Sequence, residues 1–232
     1  NAWIEALLDE YFAHPGRQRV WVTLAWDGPL TWERCPQIDA VAVRNIAVQH
    51  LRRSNLDGAG VMEIDTWKEI AGEPGKRMVP HVHFLGWHRH GEVIDVEALE
   101  QEMRSRRALT NSLGAPSVKI KQVGPLPKDL ATIGAYIGKV PAYAKNPVPN
   151  HVWGCFELKS VEHAPGSVTR LIEVLSYMEL GDAMFSIGAG KAIASAVRDS
   201  VRQKCAHGKS APTRDEIERH WRRIRLSNGN KK

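Results

Sequence analysis

Met78-Val79-Pro80-His81-Val82-His83-Phe84-Leu85-Gly86-Trp87 is the stretch on which the fold turns. Its β-branched and aromatic content predicts a strand. On a strand alternate side chains share a face, so His81 and His83 point one way and Val82 and Phe84 the other. Two imidazoles at that spacing can chelate one divalent cation through neutral ring nitrogens. An HxH pair also occurs on ordinary strands, so this reading needs a third ligand and a reactive group.

Gly60 to Trp67 predicts the preceding strand. The polar loop Lys68 to Arg77, with Gly72, Pro74 and Gly75, joins the two as a hairpin. Alternation places Glu63 and Asp65 on one face and Met62 and Ile64 on the other. Pairing of the strands would bring a carboxylate to the imidazoles. Glu63 is the first candidate and Asp65 the runner-up. Two histidines and one carboxylate suit Mg²⁺ or Mn²⁺ and leave coordination positions for substrate oxygens. His88 and His90 continue past Trp87, as a spare ligand, a phosphate contact or simply polar strand-end residues.

The reactive group is expected on a helix over Asp129 to Lys139, ended by Pro141. Tyr136 and Lys139 are three apart and share a helical face. A tyrosine hydroxyl, with a free pKa of about 10, is a weak nucleophile without a nearby cation or metal-bound phosphate. Lys139 offers a positive charge beside that phosphate. Tyr143 lies seven residues after Tyr136, with Pro141 interrupting the helix between them. It reads either as a second nucleophile or as a residue that packs or stacks on a base.

Around this centre a helix is expected through Trp3 to Phe12, stopped by His14-Pro15-Gly16, then a strand over Val20 to Trp26 and a helix over Ile38 to Leu51. A charged helix follows over Asp95 to Leu109, with Asp95 as N-cap. Ser117 to Val123 alternates apolar and basic residues and predicts a half-exposed strand, and Val152 to Leu158 predicts the last strand. After Ser167 strand signals vanish, and Val168 to Leu180, Ala183 to Lys204 and Thr213 to Leu226 all read as helical. The expectation is an α+β domain over residues 1–163, a central antiparallel sheet flanked by helices. Residues 164–232 are expected as a basic, helical C-terminal segment that binds DNA or oligomerises.

The 232 residues, 43% of them hydrophobic, suffice for one sizeable core. No stretch is apolar for long enough to cross a membrane. Asn1 to Glu5 has no signal-peptide pattern and no starting Met, so a fragment or processed form is expected. Cys35, Cys155 and Cys205 form no CxxC pair, which argues against a disulfide framework or zinc ribbon and fits a reducing cytoplasmic setting. The net charge of +6 favours a polyanionic partner. Candidate phosphate contacts are Lys119, Lys121, Arg222 and Arg223, with Trp26 and Trp87 as candidates for stacking on unpaired bases. A solvated face or a core position is the alternative for each.

Four of these patterns, in this order, resemble the HUH endonucleases, named for their His-hydrophobic-His motif. The rolling-circle replication initiators of plasmids and small DNA viruses are the most similar branch. Trp21-Val22-Thr23-Leu24-Ala25 resembles their first motif, Pro80 to Leu85 their second and Tyr136-Ile137-Gly138-Lys139 their third, while Met62-Glu63-Ile64 resembles the strand that carries their metal-binding Glu. The resemblance covers roughly Arg19 to Lys145. It implies a metal held by Glu63, His81 and His83 that polarises a scissile phosphate. It implies attack by Tyr136, a 5′-phosphotyrosine intermediate and a free 3′-hydroxyl that primes replication, with Lys139 binding the phosphate. The implied partner is single-stranded DNA at a replication origin, presented in a hairpin, with host replication proteins as further partners. Three alternatives stand beside this: a conjugative relaxase, a single-tyrosine transposase and a non-catalytic origin-binding module. Relaxases usually carry a third histidine in the motif, which Leu85 replaces here. No P-loop pattern is present for a helicase domain.

Overall fold

A computed structural model describes residues 2–33, 36–67, 76–111, 116–137, 144–150, 155–163, 166–176, 178 and 180–207. In chain order the first elements are α1 (Ala2–Ala13), β1 (Val20–Leu24), β2 (Thr31–Trp32) and α2 (Ala40–Arg53). The hairpin strands β3 (Leu56–Trp67) and β4 (Arg77–His88) follow, then α3 (Val96–Arg104), β5 (Val118–Gln122) and α4 (Pro127–Ile137). The remainder is β6 (Ala144–Asn150), β7 (Cys155–Val161), α5 (Ser167–Ser176), α6 (Leu180–Ala183), β8 (Met184–Ile187) and α7 (Lys191–His207).

The expected hairpin is the middle of the sheet, whose order is β5-β1-β4-β3-β6-β7, with β2 on β4 and β8 on β3. β3 and β4 pair antiparallel over their whole length, Leu56 opposite His88 and Trp67 opposite Arg77. Both strands exceed the expected spans. β3 begins at Leu56 because its start, Asp57-Gly58-Ala59-Gly60, lacks the β-branched residues that mark a strand and is carried by pairing instead. One parallel bridge, Trp67 to Lys145, makes the sheet mixed rather than purely antiparallel.

Two apolar layers cover the sheet. On one face Val22, Val82, Phe84 and Met62 pack beneath Ala40, Val43, Ala47 and Leu51 of α2 and Met103 of α3. On the other, Ala59, Val61, Leu85 and Trp87 pack beneath Trp3 and Leu7 of α1, Leu130 and Ile137 of α4, and Ile193, Ala194 and Val197 of α7. The expected N-cap holds: Asp95 Oδ1 accepts from the Ala98 amide at 3.0 Å. The helix it starts is shorter than expected, ending at Arg104 before a 3-10 turn over Arg107–Leu109.

The region after residue 163 is helical only in part. Met184–Ile187, expected inside one long helix, is a strand antiparallel to β3 from Gly58 to Val61. Four residues are too few for a periodic strand signal, and the neighbouring helices mask them. The sheet thus spans the expected boundary. Asp57 fixes the turn after β8, accepting from the Ala189 amide at 3.0 Å and from Arg89 Nε at 3.1 Å. Gly188 in that turn has φ +52°, and a Cβ there would lie 2.1 Å from the Asp57 carboxylate, so only glycine fits. The expected strand over Val152 to Leu158 lies within residues 155–161 where it is described, paired with β6. No helix among the described residues is long and apolar enough to cross a membrane.

Candidate metal centre

Strand register brings the predicted ligands together. Glu63 on β3 stands directly opposite His81 on β4, and Val61 opposite His83. Glu63 Oε2 lies 3.8 Å from His81 Nε2 and 3.7 Å from His83 Nε2. One ligand atom from each of the three residues lies within 4.8 Å of the others. These gaps exceed a hydrogen bond. They are also wider than the spacing of about 3 Å between neighbouring ligand atoms of one octahedral divalent ion with bonds of about 2.1 Å, so the side chains would draw together around an ion.

The nitrogens are set up to act as ligands. His81 Nδ1–H donates to the Val79 carbonyl at 3.1 Å, which fixes its tautomer and leaves the lone pair on Nε2. His83 Nδ1 lies 3.0 Å from Thr23 Oγ1. In the tautomer where Nδ1–H donates to that hydroxyl, Nε2 again carries the lone pair. His83 Nε2 is buried and has no hydrogen-bond partner. Buried polar atoms are rarely left so, and an unpartnered ring nitrogen fits a position where a ligand binds. Burial first, and then the neighbouring His81, push the His83 imidazole down to about 2, so the ring is neutral, as a metal ligand must be. The donor set of two imidazole nitrogens and one carboxylate could therefore hold a divalent metal ion.

A cleft of about 560 Å³ opens over His81 and His83 of this trio. It is lined by Trp21 and Thr23 of β1, Asp65 and Trp67 of β3, His81 and His83 of β4, Lys119 and Lys121 of β5, Tyr136 of α4 and Lys145 of β6. Tyr136 is 45% exposed, and its ring meets His83 edge-on with centroids 5.1 Å apart. Trp21 stacks on the same His83 at 5.2 Å and an interplanar angle of 11°, and meets Tyr136 edge-on at 6.2 Å. Burial, then Glu63 and Asp65, push the Tyr136 phenol above its ordinary value. Those carboxylates oppose a phenoxide, which a cation at the trio would reverse.

The height of Tyr136 over the sheet depends on Gly134, two residues earlier. A Cβ there would lie 2.8 Å from the Ile4 amide nitrogen and 2.9 Å from the Ile4 Cα, so glycine lets α4 rest against the backbone of α1.

The other expected site residues divide into three groups. Asp65, the runner-up ligand, lines the cleft but is not in the trio. Lys119 and Lys121 face the cleft. Lys119 is 3.6 Å from Glu100, whereas Lys121 has no ion-pair partner among the described residues. Trp26 and Trp87, candidates for stacking on bases with a core position as the alternative, are each only 3% exposed and take the core position. His88 pairs with Glu92 at 3.7 Å and packs against His90, as strand-end residues do, away from the trio. Lys139, Tyr143, Arg222 and Arg223 lie outside the described residues. Sequence reasoning missed Trp21, Trp67 and Lys145 as cleft residues. For Trp21 a signal existed, since it shares a strand face with Thr23; Lys145 depends on the parallel bridge, which leaves no local pattern.

No family model matches the chain, and no curated protein or solved structure matches it.

Proposed function

We propose that the protein is a replication initiator of the HUH type that nicks and rejoins single-stranded DNA, with Tyr136 as nucleophile and Glu63, His81 and His83 holding Mn²⁺ or Mg²⁺. The observation that supports this most is the convergence of the three ligand side chains and the Tyr136 ring at one cleft walled by lysines. A structural role for the histidines would leave the buried His83 Nε2 without a purpose.

When bound, the cation would polarise the scissile phosphodiester and offset the charge of Glu63 and Asp65. Lys121, and Lys119 with its charge shared with Glu100, hold the DNA backbone along the β5 wall. The Tyr136 oxygen, losing its proton, attacks phosphorus in line with the departing 3′-oxygen. The P–O3′ bond breaks, the 3′-oxygen takes up a proton and becomes a free hydroxyl, and the 5′-phosphate stays on Tyr136. One phosphodiester is exchanged for another, so no energy input is needed and the 3′-hydroxyl can reverse the step. The free 3′-hydroxyl is the group that would prime synthesis at an origin.

The test is incubation with end-labelled random single-stranded oligonucleotides and Mn²⁺, followed by a denaturing gel. A protein–DNA adduct is expected with the wild type and none with Tyr136→Phe. Equal adduct from both, or none from either at any metal concentration, overturns the proposal.

A further inference from the structure

Trp21 stands at a junction that no other cleft residue shares. On β1 its Cα is opposite Leu85 of β4 and Lys121 of β5, so it is the diagonal neighbour of His83. Aromatic side chains reach across such diagonals. The indole packs on one side against the apolar layer of Leu85, Trp87 and the helices above them. On the other side it lies flat on His83, 5.2 Å between centroids and 11° between planes. Tyr136 then meets both rings edge-on, His83 at 84° and Trp21 at 89°. The Tyr136 ring therefore rests in a notch whose two sides are a metal ligand and an indole anchored in the core. Trp21 is partly buried, lies against His83 and also lines the cleft.

We infer that Trp21 is a positioning residue for strand cleavage, holding the Tyr136 ring at a set distance from His83 so that the phenol oxygen meets a phosphate bound at the trio. This rests on the nicking reading above. Tyr136 is close to half exposed, and its edge-on contacts with His83 and Trp21 bear directly on the orientation of its ring. Edge-on contacts between aromatic rings are directional, which suits them to fixing a ring's orientation rather than merely filling space. Misplacing a reacting atom by about 1 Å can cost about 100-fold in rate.

The experiment compares wild type, Trp21→Ala and Trp21→Phe, the last keeping a flat ring for both contacts. Adduct formation at saturating oligonucleotide and Mn²⁺ is expected to slow by about 10- to 100-fold in Trp21→Ala and to recover most of that in Trp21→Phe. The half-saturating concentrations of Mn²⁺ and oligonucleotide are expected to stay where they are in the wild type. A second readout needs neither metal nor DNA. In protein with ring-labelled tyrosine, the Tyr136 signals, identified by their loss in Tyr136→Phe, should carry ring-current shifts that collapse in Trp21→Ala and persist in Trp21→Phe. Wild-type rates in Trp21→Ala, an equal loss in both variants, or unchanged Tyr136 signals would overturn the inference. So would a loss of Mn²⁺ affinity that matches the loss of rate, because Trp21 would then be supporting His83 rather than Tyr136. Should the wild type form no adduct, the nicking reading fails, while the ring-current comparison still decides whether Trp21 holds the Tyr136 ring.

Discussion

Positions 81, 83, 85 and 87 of β4 lie on one face of one strand, yet its two ends have opposite characters. At the closed end Leu85 and Trp87 sit with Ala59 beneath α1 and α7, in a layer with hardly any polar atoms. At the open end His81 and His83 sit with Glu63 under a cleft, where the helical cover has thinned to the tip of α4. Both ends are buried, His81 at 7% and His83 at 4% exposed, so burial alone does not separate them. What differs is whether the buried groups satisfy one another. The closed end is apolar, whereas at the open end His83 Nε2 is buried without a hydrogen-bond partner. A half-satisfied polar cluster costs stability, and a protein keeps one where a ligand completes it.

Substitutions at the two ends should therefore fail in different ways. The largest effect is expected for His83→Ala, which removes a ligand outright. Mn²⁺ binding, followed by the electron paramagnetic resonance of free ion, should fall by more than about 100-fold, since even outer partners of a metal site are worth about 10- to 100-fold. Retained affinity would mean that the open end is not a metal centre. At the closed end Ile193→Ala, in the α7 cover, should cost about 2–5 kcal/mol in urea unfolding through the cavity it leaves. Adduct formation per folded molecule should be unaffected, and a specific loss of cleavage would show that the two ends are not independent. A smaller loss is expected from Thr23→Val, which removes the hydroxyl beside His83 Nδ1 at nearly constant volume. Mn²⁺ affinity should drop by about 10-fold or more with little change in unfolding. The smallest effect belongs to the rim. Lys121→Ala should weaken oligonucleotide binding and lower the salt slope by about 1, and Lys119→Ala should do less because Glu100 already shares its charge. Equal effects from the two lysines would argue against that sharing.

The open end was the more legible of the two in the sequence. His81 and His83 follow from alternation, and Glu63 from a hairpin whose two strands are adjacent in the chain, so local pattern was enough. The Tyr136 helix was legible as a helix. That its ring would meet His83 was not, because the contact depends on how α4 rests on α1 at Gly134. For Trp26 and Trp87 the choice between base stacking and core stays open in the sequence, because an aromatic residue on a strand carries no mark of which layer will cover it. β6 was hidden by Pro147 and Pro149, residues that normally argue against a strand interior, whereas its partner β7 overlaps the expected last strand. The parallel bridge at Lys145 and the strand at Met184 depend on partners far away in the chain, where periodicity says nothing.

That last strand bears on how the molecule is made. The edge of β3 next to Gly58 to Val61 is paired by residues 184–187, more than 120 positions later. Until the ribosome has released them, the strand that carries Glu63 presents unpaired backbone amides and carbonyls along part of one side, an invitation to pairing between nascent chains. A transcript cut short before residue 184 should therefore yield aggregate rather than a smaller folded protein. Expression of nested C-terminal truncations should show solubility rising only once Met184 to Ile187 are included.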